Sequence, residues 1–134
     1  NNIGADKIPR EIEPLMQLSE IKLFKSEITK LPREIGCLSQ LTDIELFNTH
    51  ITELPIEIKR LSKLTKLLID LGCLTELPQE IGELSKLTHL SLNDNNLTEL
   101  PKNICKLTQL AKVSLWGNNL VRIPKEINKL IILF

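Results

Sequence analysis

Two histidines, three cysteines and a set of evenly spaced glutamates are the side chains here that could move protons, attack an electrophile or ligate a metal. Metal sites and nucleophile–base pairs need such groups within coordination or hydrogen-bond reach of one another. Cys37, Cys73 and Cys105 form no CxxC and no cluster, and His50 and His89 lie far apart in the sequence. Glu53, Glu76 and Glu99 each precede a Leu-Pro pair, a recurrence that describes a solvated face rather than an acid–base pair. The five glycines stand singly, so there is no phosphate-cradling loop. No catalytic residue, metal site or cofactor is expected, and the chain is not expected to be an enzyme.

Aromatic side chains offer a different chemistry, noncovalent anchoring. Phe24, Phe47 and Trp116 are three of the four aromatics, Phe134 being the fourth, and they are separated by one and three multiples of 23 residues. The same interval governs the whole chain. Pro9, Pro32, Pro55, Pro78, Pro101 and Pro124 follow one another at 23 residues, each after Ile or Leu. A fixed period of this length marks a solenoid, in which each repeat buries its apolar face only against its neighbours.

Within each repeat the apolar spacing changes once. After the prolines come Ile35, Ile58, Ile81 and Ile104, then Leu38, Leu61, Leu84 and Leu107 three residues on, and Leu41, Leu64, Leu87 and Leu110 three further. Spacing of three suits a short α or 3₁₀ segment with one buried edge, with proline in its first turn. The pairs Ile21/Leu23, Ile44/Leu46, Leu67/Ile69, Leu90/Leu92 and Val113/Leu115 are two apart, the period of a strand. Five parallel strands are predicted, starting near Glu20, Asp43, Lys66, His89 and Lys112.

Residues 87–97 read L-x-x-L-x-L-x-x-N-x-L, and 110–120 match the same pattern. The chain thereby resembles the leucine-rich repeat family, and the LTELPKNICKL that follows is similar to its 23-residue subclass. That subclass occurs in bacterial effector-like proteins, plant intracellular proteins and animal signalling scaffolds. The resemblance implies an α/β fold: a right-handed, curved solenoid with parallel strands on its concave face and short helical segments on its convex face. It also implies an asparagine ladder in the turns. Here that column runs Ser26, Thr49, Gly72, Asn95, Asn118. Hydroxyls can partly substitute for the amide. Gly72 cannot, and a distorted turn or a bridging water is expected beside it.

Such a fold leaves the residues flanking the buried pairs exposed on the concave face. Phe24, Phe47 and Trp116 share one column with Asp70 and Asn93, Leu68 lies in the central column, and His89 and Lys112 share the column before it. The expected partner-binding set is Phe24, Phe47, Leu68 and Trp116 as anchors, with Asp70, His89 and Lys112 setting polar specificity. The partner expected is a protein or peptide. Seventeen basic and seventeen acidic residues balance, which argues against nucleic acid. No apolar run approaches the ~20 residues of a membrane span. The scattered cysteines fit a reducing compartment, so a cytoplasmic location is expected, in a bacterial or a host cytosol if the effector-like resemblance holds.

The chain reads as one domain over 1–134, with a partial N-terminal cap at 1–9, five repeats between Pro9 and Pro124, and a truncated sixth repeat at 124–134. It opens on Asn1 rather than methionine, as a processed or excised piece does. Ile127, Leu130 and Leu133 continue the helix pattern, after which the chain is expected to stop before another strand. Ile131 and Ile132 stand where earlier repeats carry Ser, Thr, Gln or Lys. With Phe134 they predict a sticky end that folds back as a cap, meets a partner domain or supports homo-oligomers. Two other functional readings stay open: a substrate-recognition or regulatory segment of a larger enzyme such as a ubiquitin ligase or GTPase, and a self-assembling structural module.

Overall fold

A computed structural model describes residues 16–124 and 132–133. Its strands β1 (Glu20–Phe24), β2 (Asp43–Phe47), β3 (Lys66–Asp70), β4 (His89–Ser91), β5 (Lys112–Ser114) and β6 (Ile132–Leu133) form one parallel sheet in sequence order. Each of the first five steps the register by one repeat, so Ile21 faces Ile44, Ile44 faces Leu67, Leu67 faces Leu90 and Leu90 faces Val113. The inward residue pairs are buried in every one of these coils. The fold is the expected curved solenoid.

Short 3₁₀ segments, Arg33–Cys37, Ile56–Arg60, Gln79–Glu83 and Lys102–Lys106, line the other side. The preceding proline lies just outside each segment, in extended conformation, rather than within its first turn. Its carbonyl accepts the first bond of the segment, as when the Ile35 N–H donates to Pro32 at 3.0 Å. Proline's fixed φ prepares this entry, and its missing N–H is not needed there. The isoleucine three residues on is fully buried in all four segments.

Threonines tie the coils together along a second edge. The hydroxyls of Thr42, Thr65 and Thr88 donate to the backbone carbonyls of Ser19, Thr42 and Thr65 at 3.1–3.2 Å. Ala111 continues this row through its backbone N–H alone, which donates to Thr88 at 2.8 Å.

The turn after each of β1 to β5 repeats as well. Lys25, Asn48, Leu71, Asp94 and Gly117 all have φ between 53° and 79°. The third coil therefore turns like the others, and the distortion expected beside Gly72 is not found. Asn95 of the next coil takes up the space instead. A Cβ on Gly72 would stand 2.7 Å from Asn95 Oδ1, and that oxygen accepts the Leu74 N–H at 3.1 Å.

Hydroxyl substitution in the same column succeeds once and fails once. Ser26 Oγ accepts the Ile28 N–H of its own coil at 3.2 Å. Thr49 Oγ1 is buried with no hydrogen-bond partner among the described residues. A β-branched hydroxyl is too short to span to the neighbouring coil as an asparagine amide does. Leaving a buried hydroxyl unsatisfied costs about 1–3 kcal/mol. Thr49→Val keeps the shape and removes the orphan, so it should raise the unfolding free energy by about 1 kcal/mol. Urea unfolding measures this; a loss of stability would show that the hydroxyl has a partner.

The C-terminal end departs from expectation. Val113 pairs with Ile132 and Ser114 with Leu133, a step of 19 residues where earlier coils take 23. The chain does not stop short of a sixth strand, and Leu133 belongs to that strand rather than to the helix pattern. The outer edge of β5 offers unpaired N–H and C=O groups, and an aliphatic tail is well suited to occupy them. Of the predicted sticky set, Ile131 and Phe134 lie outside the described residues, and Ile132 is placed by its backbone pairing alone.

Candidate functional site

On the strand face, side chains of β3, β4 and β5 and of the residues just after them surround a shallow hollow of about 410 Å³. Five of the seven residues predicted for binding line it: Leu68, Asp70, His89, Lys112 and Trp116. Lys66, in register with His89 and Lys112, belongs to the same wall, although the sequence reading did not include it. Its position in the His89 column was the signal that could have found it.

Phe24 and Phe47 stand apart from the hollow. Their rings stack on each other with centroids 5.4 Å apart and planes 2° from parallel. Offset stacking of this kind adds modestly to area burial and gives the β1–β2 half of the face a rigid aromatic step. Phe47 is next to Asp70 in register, so the step borders the hollow. Trp116 remains half exposed on the far side.

The floor of the hollow is held by a side-chain relay that repeats from coil to coil. Asp70 Oδ1 accepts from Ser91 Oγ and from the Asn93 N–H, both at 2.8 Å. Asn93 Oδ1 does the same one coil later, accepting from Ser114 Oγ at 2.8 Å and from the Trp116 N–H at 3.1 Å. Asn93 Nδ2 closes the link by donating to Ser91 Oγ at 3.2 Å. One carboxylate oxygen of Asp70 is therefore committed to the scaffold.

This relay also accounts for strand length. β1, β2 and β3 run five residues, whereas β4 and β5 run three. At Asn93 and Trp116 the backbone N–H turns to a side-chain oxygen. The carbonyls of Ile69 and Leu92 are then taken by Asn95 Nδ2 at 2.7 Å and Asn118 Nδ2 at 2.8 Å. Side-chain amides and a carboxylate thus replace one rung of the sheet without leaving backbone groups orphaned. The asparagine ladder implied by the sequence is present in these two coils.

Charge is distributed unevenly along the face. Lys22 lies 3.6 Å from both Glu20 and Glu45, and Asp43 adds a third carboxylate to the β1–β2 end. Among the described residues, Lys66 and Lys112 have no carboxylate within ion-pair distance. His89 lies between them in the column, its Nδ1 2.9 Å from Thr88 Oγ1. Exposed ion pairs such as those of Lys22 contribute little to stability, and one ammonium among three carboxylates leaves the β1–β2 end of the face net negative while Lys66 and Lys112 make the other end positive.

No set of three or more histidine, cysteine or acidic side chains among the described residues is placed to hold a metal. No disulfide joins Cys37, Cys73 and Cys105. Among the described residues no helix is long and apolar enough to cross a membrane.

A leucine-rich repeat family model matches residues 86–107. The chain is similar to the solved structure of a leucine-rich repeat protein of Leptospira interrogans, with a TM-score of 0.61 and 27% identity. That match covers 97% of this chain and 52% of the Leptospira chain, so this chain spans about half the length of that protein. No curated protein matches it. Joined to the parallel strand ladder, these matches show a leucine-rich repeat fold, with the family's signature lying in residues 86–107.

Proposed function

We propose that the chain is an interaction module, not an enzyme in itself, that holds a protein or peptide partner on its strand face in a cytoplasmic, reducing setting. The observation that supports this best is the hollow over β3–β5 with its hydrogen-bonded floor. A floor already ordered lowers the conformational entropy lost on binding. Trp116 stands half exposed at its margin, as aromatic anchors do at interaction hot spots. A recognition segment of a larger enzyme would use the same face, with its chemistry outside these 134 residues.

The test is selection of a random-peptide phage library on the immobilised chain, followed by amide shift mapping with an enriched peptide. Shifts should gather on β3, β4, β5 and the residues that follow them. Trp116→Ala should weaken binding at least about tenfold, the range of a hot-spot truncation, while the thermal midpoint stays nearly unchanged. Shifts confined to the 3₁₀ side, or undiminished binding by the variant, would overturn the reading.

A further inference from the structure

We propose that the β3–β5 half of the strand face takes a short acidic segment of a partner protein. An apolar side chain of that segment sits between Leu68 and Trp116, and its carboxylates meet Lys66, His89 and Lys112. The proposal deepens the interaction-module reading and rests on it.

The argument begins with one column of the sheet. Glu20, Asp43, Lys66, His89 and Lys112 face one another in register across five strands. The column therefore runs from two carboxylates to two ammonium groups with an imidazole between them. Neighbouring parallel strands are about 4.8 Å apart, which puts the Lys66 and Lys112 backbones roughly 10 Å from each other. That distance brackets the hollow.

At the acidic end Lys22 pairs with Glu20 and Glu45 and leaves a net negative charge, whereas neither lysine of the basic end has an ion-pair partner among the described residues. Asp70, the carboxylate nearest that end in the wall of the hollow, already receives two hydrogen bonds on one oxygen. Positive charge is thus left to a ligand. Leu68, half-buried, and Trp116, half exposed, supply apolar wall beside it. A segment that mixes Asp or Glu with Leu, Phe or Trp satisfies both features. Nucleic acid does not, because two lysines bordered by the carboxylates of β1–β2 give a phosphate backbone no continuous track.

The same column fixes a direction. A partner segment lying across the strands would place its acidic part over β3–β5, and any basic residue it carries would fall toward Asp43 and Glu45. Reversing it would set like charges against each other, an arrangement that is strongly disfavoured at interfaces.

The library selection decides the matter. Enriched sequences should carry Asp or Glu beside a large apolar residue. Their binding should fall at least about tenfold in a Lys66→Glu/Lys112→Glu variant, and by less in Lys66→Gln/Lys112→Gln. It should also weaken as salt rises, because exposed charges are screened. Both lysines are exposed, so circular dichroism should show both variants folded. Neutral or basic sequences that compete for the same face, unaffected by either variant, would overturn the acidic assignment and leave the interaction-module reading standing. Sequences indifferent to every strand-face substitution, or no enrichment over bare support, would overturn both.

Discussion

Replacing Leu92 with alanine is expected to lower the unfolding free energy by about 2 to 5 kcal/mol, the range for emptying a fully buried leucine site. Leu92 is completely shielded from solvent, and its backbone N–H donates to Ser114 at 2.8 Å. The substitution leaves that bond in place and removes only side-chain packing. In a solenoid each coil contacts only its neighbours, so no distant part of the core can close over the vacancy. Urea unfolding should show a lower midpoint. A loss well under 1 kcal/mol would mean that this position is not core, and the alternation assigned to the strands would be wrong.

Asn95→Ala should be nearly as damaging for an unrelated reason. The amide serves Leu74 N–H, and the carbonyls of Ile69, Leu92 and Asn93. Its removal leaves at least one buried donor and one buried acceptor without that partner, at about 1–3 kcal/mol each. A loss of about 3 kcal/mol is expected. The companion Gly72→Ala places a methyl group against Asn95 Oδ1 and should be destabilising alone but much less so in the Asn95→Ala background. A double-mutant cycle reads this coupling directly. Additive losses would mean that Gly72 does not make room for the amide.

The column logic of the sequence located the strands to the residue, because a side chain in a 23-residue repeat is buried or exposed by position. Leu46 and Leu92 are buried where the alternation puts them. What escaped was set by contacts between coils rather than within one. Nothing in the third repeat taken alone shows that Asn95 reaches back past Gly72. The relay from Asp70 to Asn93 lies in the aromatic column, where Phe24, Phe47 and Trp116 drew attention to packing. The short step to β6 depends on which tail residues meet the open edge of β5, a choice that periodicity does not encode. At the candidate site, the columns brought Leu68, Asp70, His89, Lys112 and Trp116 to one hollow and left the two phenylalanines outside it.

The left-handed turn that follows each of β1 to β5 has a consequence for how this surface can change over time. Lys25, Asn48, Leu71, Asp94 and Gly117 share one backbone conformation while differing in charge, size and polarity. A non-glycine residue there carries an energetic penalty of about 1–2 kcal/mol, yet Leu71 is tolerated in it. The backbone, and not the side chain, is what the fold enforces at this place. At Gly117 a Cβ would press on Asp94, but the four coils before it already carry four different side chains in this socket, so a lineage could retune the margin of the strand face one coil at a time while the core stayed the same.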